Sequence, residues 1–257
     1  MRKSHAPPVS VRHQALIQRI REEGYVDALS LAHELNVDGS TIRRDLAQLT
    51  RAGLIRRTHG GALAAEPAAA IDTPYEDRRH TNLAAKKKIA RAAADLVQDG
   101  QTVILDNGST TFQIAVELRR KRNLTIITND LLIAMRTAGH PSNRLHVAGG
   151  VLLDTVYTLV GPTTVAAFHG LHADWAFMGA EGVDAAAGIT NINVIEIPIK
   201  HVMMEAAAMS VFVADRSKFG KRALATVCAI SEAELILTDD TLPLEQRPPF
   251  GDRLRCV

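Results

Sequence analysis

Hydrophobic positions change their period along this 257-residue chain. Between residues 11 and 20 they recur at helical spacing, with Leu16, Ile17 and Ile20 on one face. Leu31, Ala32 and Leu35 mark a short second helix, and Gly24 separates the two. After a turn through Asn36, Val37, Asp38 and Gly39, the residues Ile42, Leu46 and Leu49 fall at i, i+4 and i+7. That is the buried stripe of a third helix. Asp38 suits its N-cap, because a carboxylate accepts from the unpaired N–H groups of the first turn. Gly53 stops it without a Cβ clash. Leu54 and Ile55 then open a short strand, and Arg56, Arg57 and His59 run into a Gly60–Gly61 turn. Three short helices and a basic strand-and-turn predict a winged helix-turn-helix over residues 1–62.

Beyond it the pattern changes. Residues 62–74 are small, apolar and Pro-bounded, and residues 63–80 are assigned to a linker. A helix is expected over 84–97, with Ile89, Ala92, Ala93 and Leu96 inward. Short apolar runs then appear at 102–106, 124–128, 145–148, 175–178, 211–214 and 235–238, and helical stretches at 110–119, 130–138, 163–169 and 195–208. These runs do not alternate with polar residues. Continuous apolar strands separated by helices predict a parallel sheet covered on both faces. The fold class is therefore α/β, with a Rossmann-like second domain over residues 81–257. Pro198 falls inside the last expected helix and should kink it.

Composition narrows this picture. Hydrophobic residues make up 46% of the chain and aromatic residues only 4%, so the core must be aliphatic. Net charge is only +2, yet residues 1–60 hold ten Lys and Arg against six Asp and Glu. The remainder holds 20 against 22, so a basic head precedes a mildly acidic body, as expected where the head meets phosphates. The two cysteines, Cys228 and Cys256, show no disulfide or metal spacing. That fits a reducing cytoplasm. No apolar run approaches the roughly 18 residues of a membrane span, and the first ten residues are too short and polar for a signal peptide.

Two sets of residues carry candidate chemistry. Ser40, Thr41, Arg43 and Arg44 lie on the outer face of the third helix, where short polar and basic side chains suit a major groove. Arg56, Arg57 and His59 on the wing would meet phosphates. In an open parallel sheet, ligands bind at the carboxyl ends of the strands, and five polar or Gly-rich turns fall there. The clearest is Asp106-Asn107-Gly108-Ser109-Thr110-Thr111: glycine permits close approach, and a helix start offers hydroxyls and N–H groups to an anion. The others carry Asn129 and Asp130, Gly149 and Gly150, Glu181, and Lys218. No catalytic set, metal site or cofactor motif emerges from spacing.

These motifs resemble the DeoR family of bacterial sugar-metabolism repressors. At the N-terminus the resemblance rests on Gly24 to Val26, Leu31–Ala32, T-I-R-R-D-L at Thr41 to Leu46, and Gly53 to Ala62. Asp38 stands where the family usually has Ser. Further on it rests on Lys86, Asp106 to Thr110, Thr128–Asn129, Gly149–Gly150, Phe177 to Gly182, Gly188 to Thr190, Asp215 to Gly220 and Thr238–Asp239. The resemblance implies a sensor domain similar to ribose-5-phosphate isomerase, with double-stranded operator DNA and a phosphorylated sugar or polyol as partners. It implies that Gly108 to Thr111 hold the phosphate, assisted by Lys86 or Lys218, and that Asp106, Asn129, Asp130 and Glu181 face hydroxyls. Glu196 and Lys200 would support or gate the site. A homodimer or homotetramer is expected, since one small head offers little area for repeated half-sites. The alternative is a sugar-phosphate isomerase with an accessory DNA-binding head, in which Asp106, Asp130 and Glu181 move protons.

Overall fold

Leu16, Ile20, Leu31, Ile42 and Leu46, five of the expected inward positions on three helices, are all essentially inaccessible to solvent. The computed structural model describes residues 9–23, 25–35, 37–51, 55–58, 61–64, 75–153 and 155–257. The chain divides into two units, residues 1–68 and 69–257.

The head contains α1 (Val9–Glu23), β1 (Tyr25–Asp27), α2 (Ala28–Glu34), α3 (Gly39–Arg51), β2 (Ile55–Arg57) and β3 (Gly61–Ala64). The strands form an antiparallel sheet in the order β1-β3-β2. Strand β1 is an addition to the expected wing, too short for periodicity to reveal. Its last residue, Asp27, caps α2 by accepting from Leu29 N and Ser30 N at 2.9 and 3.0 Å. Asp38 caps α3 as expected, accepting from Ser40 N at 2.7 Å. The Gly24, Gly53, His59 and Gly60 expectations lie outside the described residues.

A polar cluster crosses the aliphatic head core. Asp45, on the inner side of α3, accepts from Arg12 Nε at 2.5 Å and Nη2 at 3.1 Å, with His13 Nε2 at 3.1 Å. Arg12 and Asp45 are both buried.

The linker assignment for 63–80 differs from what the structure contains. Leu63 and Ala64 belong to β3. Residues 65–74 lie outside the described residues, and Tyr75–His80 forms a helix, α4. Buried Tyr75 sets its ring edge-on to Phe112 and Tyr157, at 6.2 and 6.1 Å between centroids, within the second unit. A polar run hid this anchor.

The rest of the second unit runs α5 (Leu83–Leu96), β4 (Thr102–Leu105), α6 (Ser109–Leu118), β5 (Thr125–Thr128), α7 (Leu131–Thr137) and β6 (Arg144–Val147). A hairpin of β7 (Val151–Leu153) and β8 (Thr158–Val160) leads to α8 (Pro162–Ala166), β9 (Ala173–Gly179), β10 (Gly182–Asp184) and β11 (Gly188–Asn191). Then come α9 (Ile197–Glu205), β12 (Ala207–Val213), β13 (Ala225–Cys228), β14 (Leu235–Thr238) and β15 (Leu254–Cys256). Seven strands form one parallel sheet, ordered β15-β14-β12-β9-β4-β5-β6.

Why the strand runs are apolar throughout is visible in the two cores. Val103, Leu105, Phe177, Val211, Val213 and Leu237 face one core with Ile89, Ala93, Ile114 and Ile133 of α5, α6 and α7. Their neighbours Ile104, Ala176, Met178, Phe212 and Ile236 face the other, with Phe168 and with Ile199 and Met203 of α9. Alternate residues point to opposite faces, and both faces are covered. Pro198 does not kink a helix: α9 starts at Ile197, so the proline sits in its first turn, where a missing N–H is harmless. Helix α5 is rotated slightly from expectation, with Ala90, Ala94 and Val97 buried and Ala92 and Leu96 half-buried.

Arg12 and His13 hold the Asp45 carboxyl below the usual carboxylate range although burial pushes it up. A depressed acid stabilises above its unfolded value near ~3.9 and loses that contribution as pH falls through the folded one. Asp45→Asn should therefore destabilise the head by about 3 kcal/mol at pH 7, with the gap closing in acid. Urea unfolding of the full chain followed by circular dichroism tests this. Trp175, the single tryptophan, lies in the second unit and should report an unchanged transition by fluorescence.

Candidate functional site

The outer face of α3 carries Ser40, Arg43 and Arg44 exposed and Thr41 half-buried. Arg43 Nε donates to Gly39 O at 3.2 Å, which leans its side chain toward the helix start. Asp45 between them and Leu46 points inward to α1, so the Arg pair is directed outward by the register of the buried stripe. Arg56 and Arg57 lie on β2, paired by backbone to Leu63 and Ala62. His59 is outside the described residues.

In the second unit the sheet order locates a candidate ligand site. From β4 the chain builds outward through β5 and β6, then returns to place β9 on the other side of β4. The crevice at this reversal, beyond the carboxyl ends of β4 and β9, is where open α/β sheets bind ligands. A cavity of about 230 Å³ occupies it. Its walls include Asn107, Gly108, Ser109, Thr110 and Thr111 after β4, and Gly179, Ala180 and Glu181 after β9. Arg78, Asn82, Lys86, Asn191, Glu196, Lys200, Asp215 and Lys218 add to its polar lining.

Gly108 makes the turn possible: its φ of 138° is in the range that L side chains rarely adopt, and a Cβ would sit 3.3 Å from Thr111 Oγ1. It leads directly into α6 with no side-chain cap. The first-turn N–H groups of a ten-residue helix therefore face the cavity beside the hydroxyls of Ser109 and Thr110, a ready anion cradle.

Three lysines line the cavity, in different states. Lys200, fully buried, donates to Asp106 and, at 3.0 Å, to Gly179 O. Burial alone would lower its pKa, but Asp106 and Glu196 outweigh it and the net shift is upward. Lys218 donates to Glu181 Oε2 at 2.6 Å, and Arg78 Nη1 donates to Oε1 of the same carboxylate at 2.7 Å. Burial pushes Glu181 up, yet these two cations bring it below its ordinary range. Lys86 Nζ donates to the carbonyl of Arg78 at 2.6 Å. Burial lowers its pKa to about 8; Asp215 and Glu181 oppose the fall, while Lys218 and Arg78 add to it.

Of the effector residues expected from sequence, Lys86, Gly108, Ser109, Thr110, Thr111, Glu181 and Lys218 line the cavity. Asp106 lies behind it, accepting from Lys200 and from Gly179 N at 3.0 Å. Asp130 braces the cradle from outside, accepting from Gly108 N at 3.3 Å and capping α7 through Ile133 N at 2.9 Å. Burial raises its pKa to about 6. Asn129 donates to Leu159 O, and Gly149 O accepts from Thr164 Oγ1 beside Gly150. Asn129, Gly149 and Gly150 thus join β6, the β7–β8 hairpin and α8 rather than the cavity. Sequence reasoning missed Arg78, Asn82, Asn107 and Asn191. Asn107 was readable inside the cradle turn; Arg78 was hidden by the linker assignment, and Asn82 stands two residues beyond it in no recognisable motif.

Residues 81–240 match the family model described as the DeoR C terminal sensor domain, and residues 12–68 match the DeoR-like helix-turn-helix domain. The chain belongs to the DeoR family. This DeoR-family protein is 32% identical to the glycerol-3-phosphate regulon repressor of Escherichia coli (strain K12), over 91% of this chain and 92% of that one. It is 31% identical to the HTH-type transcriptional regulator GolR of Listeria innocua, over 94% of each. It is also 31% identical to the HTH-type transcriptional repressor CsqR of Escherichia coli (strain K12), over 94% and 92%. These relatives are regulators, not enzymes, and the isomerase alternative falls with that. DeoR-family repressors bind operator DNA through the helix-turn-helix domain, which is the head here. Among solved structures, ribose 5-phosphate isomerase A of Methanocaldococcus jannaschii is similar at TM-score 0.39 and 22% identity, over 54% of this chain and 55% of that one. No helix among the described residues is long and apolar enough to cross a membrane.

The Asp106–Lys200 pair should behave as a structural element of the DeoR sensor. Lys200→Met leaves a buried carboxylate unpaired and should cost about 3–5 kcal/mol. The double variant Asp106→Asn, Lys200→Met should recover part of that loss. Urea unfolding followed by Trp175 fluorescence is the check.

Proposed function

We propose that the protein represses carbohydrate-metabolism genes from the cytoplasm, as a homodimer or homotetramer on operator DNA, and leaves the operator when a phosphorylated sugar or polyol occupies the sensor cavity. The observation that carries this reading is the uncapped α6 N-terminus, opened by Gly108 at the strand-order reversal and flanked by Lys86 and Lys218. A phosphate group fits its N–H groups, its hydroxyls and the positive end of the helix dipole. The names of the relatives, which include a glycerol-3-phosphate regulon repressor, support the same metabolite class. Arg43 and Arg44 are the base-reading candidates, and Arg56, Arg57 and His59 the phosphate contacts. Coupling between cavity and operator amounts to ~1–3 kcal/mol in such systems.

Two outcomes test it. Arg43→Ala and Arg44→Ala should each weaken operator binding by about 1–3 kcal/mol in a salt-controlled fluorescence anisotropy assay, with unfolding unchanged. Equal affinity for specific and random DNA in the native protein would sink the assignment. Phosphate binding should also follow the charge on Lys86, which is present below about 8 and lost above it. Phosphate keeps its full charge above its second pKa of ~6. The dissociation constant for a phosphorylated ligand should thus rise as pH goes from 7 to 9.5, and Lys86→Met should flatten that rise. A ligand at about 100 times its dissociation constant should stabilise the sensor by roughly 2.7 kcal/mol.

A further inference from the structure

Beside the anion cradle, the cavity wall holds two amides tied to one carboxylate. Asn107 Nδ2 donates to Glu196 Oε1 at 3.0 Å, and Asn191 Nδ2 donates to Glu196 Oε2 at 2.7 Å. All three residues are buried, Asn107 with 6%, Asn191 with 3% and Glu196 with 5% of its surface accessible. An ionised carboxylate only accepts, so each amide must turn its NH2 toward Glu196. The oxygen of each amide is thereby turned away from Glu196. For Asn107 that oxygen has no hydrogen-bond partner among the described residues, although it is buried in the lining of the cavity. A buried acceptor left unmatched is costly, and such an orphan in a folded protein calls for a partner that the chain itself does not supply.

We infer that Asn107, oriented by Glu196, is the acceptor for a ligand hydroxyl, and that the sensor selects a phosphorylated alcohol over the carbonyl or deoxy compound of the same skeleton. The inference rests on the phosphate reading of the cradle. It adds a specificity that the cradle lacks. Helix-start N–H groups, hydroxyls and lysines hold any phosphate ester. An amide oxygen has two lone pairs and no proton, so it accepts from an O–H but opposes a ketone oxygen. Asn107 immediately precedes Gly108, so the hydroxyl it meets lies within a few bonds of the phosphate. Glu196 is a positioning residue, since it touches the amides that would meet the ligand.

The test is isothermal titration calorimetry on the full chain with matched probes: inorganic phosphate, glycerol 3-phosphate, dihydroxyacetone phosphate and propyl phosphate, then ribitol 5-phosphate and ribulose 5-phosphate. In the native protein, one or both phosphorylated alcohols should bind roughly ten- to a hundredfold tighter than the matching carbonyl compound. Propyl phosphate should bind as weakly as inorganic phosphate. In Asn107→Ala the alcohol and carbonyl compounds should converge to within about threefold, with the alcohols losing more affinity than inorganic phosphate does. Glu196→Gln should also shrink the alcohol preference, because a glutamine NH2 forces one amide to turn; a merely structural defect would weaken all probes alike. Alcohol and carbonyl probes binding equally to the native protein would overturn this inference and leave the phosphate reading standing. Failure of every phosphate compound, inorganic phosphate included, would overturn both.

Discussion

The sensor is organised around one buried charge pair. Lys200 reaches from α9 to Asp106 at the end of β4 and to the carbonyl of Gly179 at the end of β9. These two strand ends border the crevice where the sheet reverses its order. Two opposite charges in an interior seldom add stability over a well-packed apolar pair. What they impose here is position. An ammonium group can satisfy a carboxylate and a carbonyl together only when both strand ends keep their separation. The cradle begins two residues after Asp106 and Glu181 follows Gly179 by two, so each inherits its place from this contact.

The polar lining is built by sharing. One carboxylate, Glu181, accepts from Arg78 and Lys218; another, Glu196, accepts from Asn107 and Asn191. Each partner comes from a different stretch of chain. Arg78 lies on α4, Lys218 after β12, Asn191 at the end of β11 and Asn107 after β4. Shared acceptors keep like charges and unpaired amides from opposing one another in a small volume, and they fix the side chains before any ligand arrives.

Much of this was legible in the chain because strong periodicity and turn chemistry are local. The stripe Ile42, Leu46, Leu49 and the cap Asp38 located α3, and the unbroken apolar strand runs located a sheet buried on both faces. The cradle was legible because Gly108 followed by Ser109 and Thr110 is a helix start whatever surrounds it. Long-range pairing was not. Asp106 has the turn chemistry of a ligand contact, yet Lys200, 94 residues away, neutralises it. Asn129 and Gly149–Gly150 had the right turn residues but serve the edge of the sheet. Strands β10, β11 and β13 are three or four residues long and carry no period. Helix α4 is polar on most faces, and only Tyr75, packed on rings 37 and 82 positions further along, reveals its anchoring.

Every residue that lines the cavity, from Asp77 to Lys218, belongs to the second unit, and Arg43 and Arg44 belong to the first. Under the proposed function, changes of metabolite and changes of DNA sequence are thus written in separate stretches of the gene. A lineage can exchange Asn107 or Glu196 without touching the letters its head reads, or recombine heads and sensors at the boundary. Regulators built this way can diversify along two independent axes, and kinship over the whole chain leaves the identity of the metabolite open to drift.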